Sequence, residues 1–171
     1  MAQFKEMTGT LEHMSGEQRI RTILELGEPD VKRVTSQFIE QQCRLKSFEQ
    51  VSATSAKATY TFVVAPFYCN GSGNLHGGAQ SMIYDLCTSV TLQAIGKPGW
   101  WFNGGVSRTL NVTYLRPAPE GTELELDAEI VAVGKTLAML RGVIKRASDG
   151  VPISTCEHNK AAVASKPNWK L

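Results

Sequence analysis

The sequence predicts an α+β domain in which one long helix is wrapped by a curved antiparallel sheet, with extra helices on its amino-terminal side. Three observations predict it. The run from His76 to Ile95 is apolar enough and long enough for a single helix of about 20 residues, spanning about 30 Å. The segments after it read as strand after strand joined by short turns. The strands come in runs instead of alternating with helices, which argues against a parallel βαβ sheet. A single helix between two groups of strands has one way to bury itself, as the filling of the sheet's concave side.

The elements follow in order. In "SGEQRIRTILELG", Ser15 is placed to cap a helix whose Ile20, Ile23 and Leu24 fall at helical spacing, with Gly27 as its stop. After "EPD" a second helix is expected from Val31 to about Leu45, its apolar stripe of Val31, Val34, Phe38 and Leu45 so thin that it is expected to lie across a larger core. Residues 1–46 are thus read as a helical extension and 47–171 as one domain. From Phe48 to Pro66, β-branched and aromatic residues predict two short strands with a turn near Ala56 and Lys57. The glycine-rich "FYCNGSGN" is a loop, and the long helix ends at Gly96 and Pro98. A strand is expected from about Gly105 to Leu115. In Glu123 to Val133, Leu124, Leu126, Ala128 and Ile130 alternate with acids, so that strand has one wet face. "TLAMLRGVIKRA", the turn "SDG" and "VPISTCEHNKAAV" complete the sheet.

The 171 residues, 42% hydrophobic and with a formal charge of +2, suit one core and give no basic field for nucleic acid. Cys43, Cys69, Cys87 and Cys156 lack metal-ligand spacing and are expected as reduced thiols, and no metal or cofactor is expected. The first thirty residues are charged, unlike a secretory signal, and no run approaches the roughly 18 apolar residues of a membrane span. A cytoplasmic protein is expected, with mitochondrial or peroxisomal placement left open; the terminal "NWKL" matches a peroxisomal address only in its last two letters. "AIGKPG" has Thr91 where a phosphate-binding loop needs its first glycine.

Asp85 is the one acid inside the apolar helix, and an unpaired buried carboxylate is costly. It is either a hydrogen-bonded structural acid or a reactive group. On a helix, Gly78, Ser81, Asp85, Thr88 and Leu92 share a stripe distinct from the ridge of Ala79, Ile83, Leu86, Val90 and Ala94, and that stripe is expected to meet a ligand or partner. Gly77 and Gly78 at the helix start leave its unpaired backbone N–H groups open to an approaching carbonyl oxygen, as acyl transfer requires. Trp100, Trp101 and Phe102 are expected either to wall an acyl tunnel or to pack an interface, and His13 and His158 are read as surface or strand residues without assigned roles.

Asn70, "LHGG" with His76, Gly77 and Gly78, then Asp85, "GGVSRTLNVTYLRPA" and "GKTLA" resemble the hotdog-fold acyl-CoA thioesterases over roughly residues 57 to 163. The resemblance implies a hotdog fold and a homodimer or homotetramer with its site between subunits. It implies Asp85 as nucleophile or general base, facing a thioester carbonyl held by the Gly77 amide of the other chain. Asn70 would orient water or carbonyl, His76 support the loop or the sulfur, and Ser107 position water. Gly78, Ser81, Lys135, Thr136 and Arg108 are expected to contact substrate, the cations meeting coenzyme A phosphates. The expected reaction is hydrolysis of a fatty or aromatic acyl-CoA. Two other readings stay open: a hotdog dehydratase or isomerase acting on an acyl intermediate, and a non-catalytic acyl-CoA-binding module.

Overall fold

A computed structural model describes residues 11–25 and 34–163. Helix α1 spans Gly16–Glu25. Its start is a reciprocal cap, because the Gln18 N–H donates to Ser15 Oγ at 3.3 Å and the Ser15 N–H to Gln18 Oε1 at 2.9 Å. Gly27 and residues 31–33, the expected stop of α1 and start of the second helix, lie outside the described residues. Helix α2, Val34–Gln37, passes into a wide π-type turn over Phe38–Gln42, and the Cys43 N–H donates to Phe38 O.

The second helix does not reach Leu45. Strand β1 already begins at Arg44 and runs to Ser52. The "CRLKSFEQVS" segment alternates too weakly to announce a strand, and Leu45 is buried by sheet pairing and not by a helical face. The hairpin turn also falls earlier than expected, at residues 53–54, with β2 spanning Ser55–Val63. Ala56, Ala58, Tyr60 and Phe62 then all face the core.

The long helix α3, Gly77–Ile95, is followed by β3 (Val106–Tyr114), β4 (Glu123–Val133), β5 (Leu137–Arg146) and β6 (Pro152–Ala161). The six strands form one antiparallel sheet in the order β1-β2-β4-β5-β6-β3. The four acids of β4 expected on its wet face are at least partly exposed, while Leu124, Leu126, Ala128 and Ile130 are buried. Two neighbouring clusters make the core. One sets Ile83, Tyr84, Cys87 and Val90 of α3 against the inner faces of β2, β4 and β5, and the other sets Leu92 and Ile95 against Trp101, Ile130 and Leu140. Each large aliphatic side chain fully enclosed there contributes about 1.5 to 3 kcal/mol.

Gly142 sets how closely helix and sheet approach. A Cβ there would stand 2.7 Å from the Tyr84 ring. The ring instead lies on bare backbone, and its hydroxyl reaches Ser154 Oγ and the Ile144 N–H, both at 2.9 Å.

A helix inside a sheet must also have its terminal carbonyls satisfied. Arg19 of α1, only 6% exposed, does this at the carboxyl end of α3. Its guanidinium donates to the carbonyls of Gln93 at 2.9 Å and of Gly96, and to Leu11 O at 3.2 Å. The amino-terminal helix is thereby fastened to the core by a buried cation on a helix C-terminus, a favourable pairing with the helix dipole. Arg19→Gln should lower the unfolding free energy by about 2 to 4 kcal/mol, since it strands several buried acceptors at once. Urea denaturation measures this, and a loss below about 0.5 kcal/mol would mean that water serves those carbonyls equally well.

Candidate active site

The amino end of α3 is built by a loop that folds back on itself. Asn70 Oδ1 accepts from the backbone N–H groups of Ser72 at 3.0 Å and Asn74 at 3.2 Å. Its oxygen is therefore occupied by the loop, and the amide nitrogen Nδ2 is the atom left to donate outward. His76 is the N-cap of α3: its Nδ1 accepts from the Gly78 N–H at 2.9 Å. The reading of the helix start expected the amides of both Gly77 and Gly78 to be open to ligand, but the cap consumes that of Gly78. The Gly77 N–H, by contrast, has no acceptor among the described residues. In the next peptide, which the Gly77 carbonyl shares with the Gly78 N–H, that carbonyl accepts from the Tyr114 hydroxyl at 2.9 Å and from Ser81 Oγ at 3.2 Å. His76 and Tyr114 thus hold the Gly77–Gly78 peptide from opposite ends.

Asp85 lies two turns further along α3, its side chain 44% exposed. Ser107 of β3 reaches it because of a β-bulge. The register passes from Ser107 opposite Lys160 to Thr109 opposite Asn159, leaving Arg108 as the surplus residue. Side chains alternate along a strand, so one surplus residue turns those before it to the other face. Thr109 stays outside, bonded to Asn159 at 3.0 Å. Ser107 turns in, and its hydroxyl donates to Asp85 Oδ1 at 2.5 Å.

His158 completes the cluster. The reading of this histidine as a surface or strand residue is half corrected: it is on β6 but has no exposed surface. Its Nε2 lies 2.9 Å from Ser107 Oγ and 3.3 Å from Asp85 Oδ1, and its Nδ1 lies 2.7 Å from Thr88 Oγ1. Lys160, 3% exposed, donates from Nζ to Ser89 Oγ at 2.7 Å and to Ser107 Oγ at 3.3 Å. Burial, then the Lys160 charge, push the His158 imidazole down to about 4, with Asp85 pulling the other way. Burial also lowers the Lys160 ammonium, again opposed by Asp85.

The other expected site residues are dispersed. Ser81 is engaged with the Tyr114 hydroxyl at 2.9 Å. Lys135 and Thr136 are exposed at the β4–β5 turn, and Arg108 is exposed on β3. Thr88 and Leu92 do not face a ligand: both are buried, the first holding His158 and the second in the core. Trp101 neither walls a tunnel nor meets another chain, since it is buried within its own chain with Nε1 donating to Gly134 O at 2.8 Å. Tyr114, His158 and Lys160 were missed. The signal for the last two was the alternation Ser154, Cys156, His158, Lys160, which puts an imidazole and an amine on the core face of a strand.

A long helix held in the concave face of an antiparallel sheet, with an acid on the helix and an unpaired amide at its start, defines the class of hotdog thioester enzymes. The thioesterase superfamily pattern matches residues 72–153. Acyl-coenzyme A thioesterase 13 of Mus musculus is 31% identical over 118 residues, covering 68% of this chain and 80% of that protein. The solved structure of thioesterase superfamily member 2 from Mus musculus superposes with a TM-score of 0.69 at 25% identity, covering 88% of this chain and 99% of the other. A hypothetical thioesterase from Streptococcus pneumoniae, solved with coenzyme A, shares the fold with a TM-score of 0.60 at 18% identity, covering 71% of this chain and 86% of the other. The chain belongs to the thioesterase superfamily and is a thioester hydrolase.

The neutral, buried His158 sets a pH dependence of stability. Its folded value lies below the unfolded one, so the unfolded chain binds the extra proton first. The stability is complete above about pH 6.5, the unfolded value, and declines as pH falls toward about 4. Thermal melts across this window should show the melting temperature falling, and His158→Gln should flatten that part of the curve.

Proposed function

We infer that the protein hydrolyses a fatty or aromatic acyl-CoA to free acid and coenzyme A, at a site assembled from two chains. What carries the reading is the pairing of two features at one helix: a Gly77 N–H with no acceptor among the described residues and a half-exposed Asp85 held by Ser107. Asp85 removes a proton from a water as its oxygen attacks the thioester carbon. The carbonyl oxygen, gaining negative charge, is met by the Gly77 N–H and by Asn70 Nδ2, neither of which has an acceptor among the described residues. The tetrahedral species collapses with the C–S bond breaking, and the thiolate takes up the proton.

One chain does not suffice for this. Gly77 and Asp85 are eight residues apart, about 12 Å along the helix axis, too far to act on one carbonyl carbon from the same helix. Asp85 instead opens beside β3, one of the two edge strands of the sheet. The edge exposes Val106, Tyr114 and Leu115, and its outer side has no partner strand among the described residues. A second copy of the chain adding its own β3 there, in a homodimer or as half of a homotetramer, brings a foreign Gly77 toward Asp85. Lys135 and Arg108, exposed cations, are assigned to the phosphates of coenzyme A and Thr136 to the same end of the ligand.

Asp85→Asn should lower thiol release from an acyl-CoA by about a thousandfold or more with fold and assembly unchanged. Full turnover in that variant would remove the assigned role. Gly77→Pro tests the other half: proline is tolerated at the first helical position and follows the extended backbone of His76, and it removes the N–H donor while adding a Cβ 3.2 Å from the Tyr114 ring, which that side chain must relieve by a small shift. Each variant alone should be inactive. Unfolded together and refolded as a mixture, they should recover up to about a quarter of wild-type activity, because mixed dimers hold one intact site. Silence in the mixture, with mixed dimers demonstrated, would place both groups in the same chain's site.

A further inference from the structure

Proton counting around His158 leads to a role beyond packing. The Thr88 hydroxyl donates to Tyr84 O at 2.7 Å, so its single hydrogen is committed to that carbonyl. Toward His158 Nδ1, 2.7 Å away, Thr88 Oγ1 is therefore an acceptor, and Nδ1 must carry the hydrogen. A neutral ring with its proton on Nδ1 presents a lone pair at Nε2. That lone pair faces Asp85 Oδ1 at 3.3 Å and Ser107 Oγ at 2.9 Å. Ser107 supplies one hydrogen to this triangle of acceptors and sends it to the carboxylate. The site has room for exactly one more proton, between Nε2 and Oδ1.

We propose that His158 is the proton store behind Asp85: the proton that Asp85 lifts from the attacking water comes to rest on Nε2 until the thiolate departs. This rests on the acyl-CoA hydrolysis reading and adds a positioning residue to it. In the attack, the O–H bond of water breaks and an N–H bond at Nε2 forms by way of Oδ1. When the C–S bond breaks, the proton returns through the carboxylate to sulfur, leaving ring and carboxylate as they began. No other reactant is needed.

The surroundings fit a store that is empty at rest and fills briefly. From α3 the ring is faced by Asp85 and Thr88, and from β3 by Ser107, with Leu110 in register. On its own strand, Lys160 and Cys156 share its side of β6. From β5 it meets the apolar Leu140. Lys160 is the only cation among these. It discourages a permanent proton on the ring, while the thiol of Cys156, pushed up to about 12 by burial, stays neutral. Ser107 and Lys160 keep the carboxylate oriented without filling the gap, since both donate and neither offers a hydrogen to Nε2 in this arrangement.

The test compares wild type, His158→Gln and Asp85→Asn by thiol release from a medium-chain acyl-CoA between pH 4.5 and 9, alongside melting temperature. His158→Gln should lower kcat at neutral pH by about tenfold or more with KM held within about threefold, and should move the acid-side midpoint of kcat. A purely structural histidine would leave that midpoint where it is. A folded His158→Gln protein with unchanged kcat and pH profile, beside an inactive Asp85→Asn, overturns this proposal alone. Turnover surviving in Asp85→Asn overturns the underlying reading as well. Should His158→Gln fail to fold, nitrogen-15 spectra of the wild-type imidazole decide: protonated Nδ1 and unprotonated Nε2 at pH 7 are expected, and a hydrogen on Nε2 instead overturns the assignment.

Discussion

Everything in this fold depends on enclosing one helix. A helix wrapped by a sheet loses water along most of its length, so each polar group it carries must find a protein partner. Along its middle, the hydroxyls of Thr88 and Thr91 fold back onto carbonyls one turn earlier. At its carboxyl end, Arg19 reaches in from another helix and donates to the carbonyls of Gln93 and Gly96. At its amino end the closure is incomplete: His76 takes the second amide and leaves the first. Gln80 Oε1 on the same helix is also buried without a partner among the described residues, so what sets Gly77 apart is its position: its N–H stands at the helix start, where an acceptor from outside the chain can approach.

The same enclosure explains the company that Asp85 keeps. A carboxylate near the core is tolerable when it is paired and hydrogen-bonded, and here a serine bonds it directly while an imidazole and a buried ammonium stand close behind. These groups come from α3, β3 and β6, so the cluster exists only in the finished tertiary structure. It also ties the helix to the sheet edge most distant from β1. Stability and reactivity therefore share the same few atoms.

The central helix, the alternating β4 strand and the cap at Ser15 were legible because each is a local pattern: a long apolar run, a period of two, a Ser with Gln three residues later. Asp85 and the glycines were legible because they break the pattern around them. The start of β1 was not, since an edge strand buries little and "RLKSFEQVS" leaves no clear alternation. The core placement of Trp101 was hidden because its partners, Gly134 and Leu140, arrive from a distant hairpin. His158 and Lys160 looked ordinary in sequence, because a strand shows which residues share a face but not which face turns inward. Ser107 was picked by resemblance alone, and no spacing rule would have turned it inward.

That inward turn is owed to a single surplus residue. Arg108 has no partner across the ladder, so its side chain answers to neither the core nor the pairing strand. Point changes there can retune surface charge at little structural cost. Gain or loss of one residue between Ser107 and Thr109 is another matter: it would send the hydroxyl to the outside and strip Asp85 of its nearest donor. At this place in the chain, the number of residues matters more to the site than which residue is the extra one.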